Sequence, residues 1–203
     1  MIDLRELALG DTEAVLQVYS AESTKYLGRA PMDTAEASSY TRTAVSSAAE
    51  SPRTVHVLGL VVDSDLVGVV KLHRDRPVAA LSYIVRAAAW GRGYATEGVR
   101  KVLDLAFGHL ALPEVRARHH PDNPASGRVL LKAGFVSLGE RAGFLTYTIR
   151  PPWAAGPVPH VSPAQSPSWP GPARATRRNG SSCCGPTSGG SGSSSSSWGA
   201  TSI

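Results

Sequence analysis

The chain has 203 residues, of which 42% are hydrophobic and 18% charged, and its formal net charge is +5. This balance is typical of a globular domain and excludes a chain composed mainly of charged residues. No apolar run approaches the roughly 20 residues that a membrane span needs. The first residues also lack the apolar stretch of a secretory signal. We therefore expect a cytoplasmic protein with no membrane partner.

The composition changes at Pro151. Of the 53 residues from there onward, 30 are Ser, Gly or Pro and none is acidic, which is typical of disorder. The residues before it hold 18 basic and 16 acidic side chains, so the net charge gives no sign of a nucleic-acid partner. The only cysteines, Cys183 and Cys184, are adjacent and lack metal-site spacing. We predict one folded domain over 1–150 and a disordered tail over 151–203.

The first half of the predicted domain contains strands that can pair antiparallel. The predicted elements are a strand at 2–8, a helix capped by Asp11, a helix from Asp33 to about Ala49, a hairpin of strands 54–62 and 66–72 joined through 63–65, and a strand at 78–85.

The second half alternates between helices and strands. A helix with an apolar stripe follows Gly93, a strand follows at 115–119, a helix begins after Asn123, and two strands within 135–150 close a hairpin. Because a helix separates strands 78–85 and 115–119, these two strands should be parallel with a right-handed crossover. The predicted fold class is α/β, with a mostly antiparallel sheet of about seven strands, one central parallel pair and flanking helices.

The segment "WGRGYATEG" (90–98) carries two glycines at the point where a loop becomes a helix. A helix N-terminus presents unpaired N–H groups and a partial positive charge, which together bind phosphate. The segment lacks the G-K-[ST] of a P-loop and the third glycine of the dinucleotide fingerprint. It therefore indicates a phosphate-binding turn of another kind.

Two segments, "LSYIVRAAAWGRGYATEG" and "HHPDNPASGRVLLKAGF", resemble the GNAT superfamily of acyl-CoA-dependent N-acetyltransferases, and within it the RimJ/RimL-type branch. The resemblance runs from about Ile2 to Arg150. Gly93 and Ala95 match the last two places of the family's pyrophosphate motif, whereas Trp90 stands where Gln or Arg is usual.

This resemblance implies that acetyl-CoA is the acyl donor and that no metal is required. It also implies which residues contact the donor. The backbone of Val85 and Arg86 would pair with the pantetheine arm, and the parallel strands would splay to admit the thioester. The start of the helix after Asn123 would contact the pantetheine and phosphate region through Asn123 and Ser126. The pyrophosphate would lie on the backbone N–H groups of five residues: Arg92, Gly93, Tyr94, Ala95 and Thr96.

The sequence departs from the family at both usual proton carriers. Ala80 stands where a Glu often deprotonates the amine, and Leu130 stands where a Tyr often protonates the leaving thiolate. Ser126, His119 and His120 are the candidate catalytic residues in their place. The two histidines are consecutive in a strand and should point to opposite faces, so they cannot bind one metal together.

The resemblance implies N-acetylation of a primary amine, with the N-terminal α-amine of a protein as the preferred substrate. A small amine, such as an amino acid, a polyamine or an aminoglycoside, is the alternative. No acidic cluster stands in the expected acceptor regions, 21–33 and 73–78, which disfavours a polycationic substrate. A non-catalytic acyl-CoA-binding module is a second alternative, which Ala80 and Leu130 favour. Monomer and homodimer both stay open.

Overall fold

The computed structural model describes residues 2–154. Seven strands and five α-helices span this region: β1 Asp3–Glu6, α1 Thr12–Val18, α2 Ala21–Thr24, α3 Thr34–Ala48, β2 Val55–Val62, β3 Asp65–His73, β4 Ala79–Val85, α4 Tyr94–Asp104, β5 Val115–His119, α5 Pro124–Lys132, β6 Val136–Arg141 and β7 Phe144–Ile149. A π-helical segment, Leu105–His109, continues α4. Within the described region, no helix combines the length and apolarity needed to cross a membrane.

The strands form one sheet in the order β1-β2-β3-β4-β5-β7-β6. Every neighbouring pair is antiparallel except β4 and β5, which are parallel. This arrangement confirms the predicted fold class, including the single central parallel pair.

Helices cover both faces of the sheet because the strand residues alternate between two apolar sets. On one face, buried side chains of α4 and α5 pack against alternate residues of β4, including Leu81 and Tyr83. On the other face, α1 and α3 pack against Val69 of β3 and Ile84 of β4. Full burial of one Val or Leu side chain stabilises the fold by about 1.5–3 kcal/mol, so these two layers hold the sheet in place.

The apolar stripe predicted for the helix after Gly93 is confirmed at five of its six positions. Phe107 is 9% exposed and Leu110 is only partly buried, and the other four side chains of the stripe are at most 5% exposed: Val99, Val102, Leu103 and Ala106. The stripe extends into the π-helical segment, so the change in helical pitch keeps its last members on the sheet side.

The turn of the β2–β3 hairpin is one residue shorter than predicted. Val62 pairs with Asp65, so only Asp63 and Ser64 form the turn. Both have positive φ, 48° and 69°, as a two-residue type I′ turn requires. Asp is among the residues that tolerate this conformation best.

Asp11 does not cap α1 with its side chain, which corrects the prediction. Its carboxylate instead accepts two hydrogen bonds of 2.7 Å from the Arg5 guanidinium and one of 2.7 Å from the Ala8 N–H. A bidentate guanidinium is a stronger partner than a helix N–H, so it determines the direction of the carboxylate. Asp33, by contrast, caps α3 as predicted, through a 2.8 Å bond from the Glu36 N–H.

The predicted tail over 151–203 lies almost wholly outside the described residues and stays a prediction. Because β7, the last strand of the sheet, ends at Ile149, we expect a chain ending at Pro152 to melt within a few degrees of the full chain. Calorimetric melting of the two chains checks this, and a large loss of stability on truncation would contradict it.

Candidate functional site

The central feature of the site is a gap between β4 and β5. Only two residue pairs join the strands, Ala79 with Val115 and Ala80 with Arg116. Beyond them both strands continue, to Val85 and to His119, without further pairing. The two strands therefore diverge from a common start, as the resemblance implied, and β4 presents an open edge to the gap.

The open edge of β4 includes the backbone of Tyr83 and Val85. In an antiparallel pair, alternate residues bond to the neighbour, and the residues between them point away from it. The Arg86 N–H donates to the Val67 carbonyl at 2.9 Å, so Val85 and Tyr83 direct their N–H and C=O groups away from β3 and toward the gap.

The Arg86 backbone makes bonds within the protein, and its expected pairing with a ligand in the gap stays a prediction. The Arg86 N–H bonds to β3, and its C=O accepts from the Ala89 N–H at 2.9 Å. Its guanidinium pairs with Asp65 at the β2–β3 hairpin. The backbone and the guanidinium of Arg86 thus both hold the end of β4 in place. Of Val85 and Arg86, only Val85 turns its backbone toward the gap.

Trp90 connects the glycine turn to the open edge. Its indole Nε1 donates to the Val85 carbonyl at 2.7 Å, while the side chain stays partly exposed. The Val85 carbonyl is therefore already bonded. The Val85 N–H is the backbone group of this residue that stays open toward the gap.

The turn before α4 leaves open space beside the first N–H groups of the helix. Gly91 and Gly93 have φ of 76° and 83°, and a Cβ built on either would meet nothing within 4 Å. Gly93 stands at the cap position and has no side chain to accept from the first N–H groups of α4. The Glu97 carboxylate, a possible competitor in the first turn, instead accepts from the Ile2 N–H at 3.0 Å.

Asn123 and Ser126 lie at the start of α5, as predicted. The Asn123 Oδ1 accepts from the Ser126 N–H at 3.2 Å. The Ser126 hydroxyl oxygen lies 2.8 Å from the Tyr83 hydroxyl, which also donates to the Ser126 carbonyl at 3.1 Å. Ser126 is fully buried, so these bonds attach α5 to β4 across the gap.

His119 lies on the same face and contacts Tyr147 of β7. Its Nδ1 is 2.7 Å from the His120 carbonyl, which can only accept, so Nδ1 carries the proton. In the neutral ring, Nε2 then accepts from the Tyr147 hydroxyl at 3.2 Å. Tyr83 and Tyr147 were missed by the sequence analysis; both occupy the apolar face of a strand, where a buried hydroxyl needs a partner.

His120 points to the opposite face, as predicted for consecutive strand residues. Its ring stacks on Tyr26 at 6.2 Å and meets the edge of Phe144 at 6.2 Å. Its Nδ1 accepts from the Asp122 N–H at 3.2 Å. Within residues 2–154, no group of three or more His, Cys, Asp or Glu side chains could hold a metal ion.

The two departures from the family occupy different environments. Leu130 is fully buried in the core beneath α5, where a tyrosine hydroxyl would need a partner. Ala80 lies directly opposite His73 of β3. Burial and the charge of Lys71 lower the pKa of His73 to about 4, so its imidazole is neutral at pH 7.

Gly127 allows the close approach of α5 to His119 and Tyr147. A Cβ at this position would lie 2.8 Å from the His119 Nε2 and 3.1 Å from the Tyr147 hydroxyl. We expect Gly127→Ala to lower the free energy of unfolding by about 1–3 kcal/mol, because two rigid rings must move. Gly108→Ala is the control, since its Cβ would meet nothing within 4 Å. Chemical denaturation measures both, and equal effects would contradict this reading.

The lowered pKa of His73 predicts a dependence of stability on pH. Between about pH 6.5 and 4, the His73 imidazole binds a proton in the unfolded chain but stays neutral in the folded chain. The free energy of unfolding should therefore fall as the pH falls. The loss from His73 should reach about 2–3 kcal/mol near pH 4. His73→Gln should flatten this slope in denaturation curves, whereas His109→Gln, at an exposed position, should leave it unchanged. Equal slopes in the wild-type and His73→Gln chains would contradict the prediction.

Comparison with known proteins agrees with this geometry. Residues 2–136 match the Acetyltransferase (GNAT) domain family. An uncharacterized N-acetyltransferase of Bacillus subtilis (strain 168), YoaA, is 30% identical over 141 residues, which cover 67% of this chain and 80% of that protein.

Solved structures share the fold. Mycobacterium smegmatis RimJ, in complex with CoA-disulfide, superposes with a TM-score of 0.61 at 21% identity, over 73% of this chain and 81% of that one. A spermidine N-acetyltransferase from Vibrio cholerae, in complex with CoA and spermine, gives 0.61 at 18% identity, over 73% and 95%. The chain belongs to the GNAT family and is an acyl-CoA-dependent N-acetyltransferase.

Proposed function

We propose that this enzyme transfers the acetyl group of acetyl-CoA to the N-terminal α-amine of a protein. The observation that supports acetyl-CoA as the acyl donor is the gap between β4 and β5, with the open glycine turn at one end of it. The choice of a protein α-amine as acceptor rests on the RimJ/RimL-like segments, and RimJ is one of the solved structures that share the fold.

The residues around the gap fit the donor. The N–H groups of Arg92, Gly93, Tyr94, Ala95 and Thr96 would hold the pyrophosphate, because the turn leaves open space above them and no Gly93 side chain competes. The Val85 N–H would pair with the pantetheine arm or polarise the thioester carbonyl. Asn123 and Ser126 would border the arm from α5, each already fixed by its own hydrogen bond.

The reaction is direct attack within one ternary complex. The lone pair of the acceptor nitrogen forms the C–N bond, the C–S bond breaks with its electron pair on sulfur, and the proton lost by nitrogen passes through water to the thiolate. Residues 1–150 contain no cysteine to form an acyl-enzyme. Holding the two reactants in line is therefore the main contribution of the protein.

The three candidate catalytic residues are better suited to positioning than to proton transfer. The Ser126 hydroxyl bonds to Tyr83, and the free lone pair of His119 receives the Tyr147 hydroxyl. The His120 Nδ1 accepts a backbone N–H. We propose that Ser126 and His119 fix the width of the gap and that His120, beside Tyr26, borders the acceptor.

Thiol release from acetyl-CoA tests the proposal. The full chain is assayed with peptides bearing a free α-amine, the same peptides blocked at the N-terminus, and small amines in parallel. We expect release with the free peptides alone. Release only with small amines would overturn the choice of acceptor, and binding of CoA without release for any amine would favour the non-catalytic alternative.

Gly93→Glu tests the phosphate-binding role of the turn. The carboxylate would repel the pyrophosphate and the new side chain would block two N–H groups, each worth about 1.5–3 kcal/mol when bonded to a charge. We expect CoA affinity to fall about a hundredfold or more, measured by calorimetric titration.

Two control variants separate this effect from backbone strain. Gly93→Ala has the same unfavourable φ but adds no charge, and Gly143→Glu adds both strain and charge at the β6–β7 turn, where φ is 78° and the space is open. We expect Gly143→Glu to bind CoA as the wild type does. Unchanged CoA affinity in a folded Gly93→Glu protein would remove the turn from the donor site.

A further inference from the structure

A pocket lies at the end of the sheet where β4 and β5 begin, whereas the gap opens toward their far ends. Its volume is about 460 Å³, which is within the range of small-molecule sites. The lining comes from the connection between β3 and β4, the first residue of β4, the segment before β5 and the residue after β7. We call it the basal pocket.

The basal pocket is separate from the gap. The two residue pairs that join β4 and β5 stand between them, because the gap begins only beyond Ala80. Val85, near the glycine turn, lies about 20 Å from Ala79 at the rise of an extended strand. Part of the expected acceptor region 73–78 lines this pocket. A ligand here and CoA in the gap can therefore be bound at the same time.

Three guanidinium side chains line the basal pocket, those of Arg74, Arg76 and Arg150. Arg74 and Arg76 are exposed, and among the ion pairs of residues 2–154 none includes either of them. Arg74 donates to the neutral Arg53 carbonyl at 3.3 Å, which leaves its charge uncompensated. Two positive charges at the rim are therefore available to a ligand.

The carboxylates at this end of the sheet are placed beside other groups. Glu114, the acidic residue of the lining, accepts from the Arg116 Nε at 2.7 Å and from the Arg150 guanidinium at 2.9 and 3.1 Å. Asp75 lies 3.7 Å from the His73 Nδ1. The lining thus carries three positive charges and one negative charge, and the negative one already has two partners.

Apolar side chains form the rest of the lining. Val78 and Leu112 are half-buried and Ala79 is buried, and two prolines border them, Pro77 and Pro113. An apolar wall lowers the local dielectric constant, so a contact between a guanidinium and an oxyanion is stronger beside it than in water. Guanidinium groups bind carboxylates and phosphates through paired N–H groups. The lining therefore matches a ligand with an oxyanion at one end and an apolar body at the other.

From this lining we infer that the basal pocket binds a small organic oxyanion, a carboxylate or a phosphate ester carried on an apolar body, at the same time as CoA. Arg74 and Arg76 hold the oxyanion, and Val78 and Leu112 contact the apolar body. This ligand is neither the acyl donor nor the acceptor, so the inference does not depend on the identity of the acceptor amine.

Calorimetric titration of the full chain saturated with CoA tests the inference. The probes are phenyl phosphate, benzoate, inorganic phosphate and the neutral benzyl alcohol. We expect the better of the two aromatic anions to bind at least about tenfold more tightly than inorganic phosphate and benzyl alcohol, and the ratio of the two distinguishes a phosphate from a carboxylate site. Inorganic phosphate binding as tightly as phenyl phosphate, or no saturable binding of either aromatic anion at millimolar concentrations, would overturn the inference.

Charge-removing variants locate the bound anion. Arg74→Gln and Arg76→Gln should each weaken the better aromatic anion by about threefold or more, because a charge-assisted contact is lost at an exposed position. Arg42→Gln, at an exposed position of α3, is the matched control and should leave the affinity unchanged. Wild-type affinity in both the Arg74→Gln and the Arg76→Gln proteins would also overturn the inference.

The glycine turn is the competing anion site, and Gly93→Glu separates the two. Without CoA, the Gly93→Glu protein should bind the aromatic anion with the affinity of the wild type saturated with CoA. Loss of this binding would place the anion at the turn and overturn the inference. The proposed function is tested separately, because a chain that binds the anion in the basal pocket but releases no thiol from acetyl-CoA would contradict the proposed transfer alone.

Discussion

The early end of the pairing between β4 and β5 is the constraint on which the site depends. A parallel pair normally continues along both strands, because unpaired backbone groups inside a sheet are unfavourable. Here only two residue pairs form, and Val85 at the far end turns its N–H toward open space. That interior edge is stable only if other parts of the chain hold the two strands apart.

Buried hydroxyl groups keep the strands apart on the side of α5. Tyr83 bonds to the first turn of α5, and Tyr147 bonds to His119 at the end of β5. Gly127 lies between these two contacts, with too little room beside it for a methyl group. The width of the gap thus follows from these two polar contacts and one glycine, and α5 serves as a spacer between the strands.

Local chemistry made several features predictable from sequence. The caps at Asp33 and Asn123 depend on groups three residues away, and both are present. The predicted cap at Asp11 is absent because its carboxylate bonds to Arg5, and the bond from the Arg86 N–H to β3 was not foreseen. The directions of backbone groups at the end of a strand depend on register, which composition does not encode. The hydroxyl contacts of Tyr83 and Tyr147 also require the fold, because in sequence both look like ordinary strand residues.

The bond from the Trp90 indole to the Val85 carbonyl places an aromatic chromophore at the junction of the glycine turn and the open edge of β4. The other three of the four tryptophans lie after the last strand of the sheet. Within the seven-stranded region, light near 295 nm is therefore absorbed by tryptophan at that junction alone. Replacing the later tryptophans with phenylalanine would give an enzyme whose own emission reports the environment of that junction, without an added label.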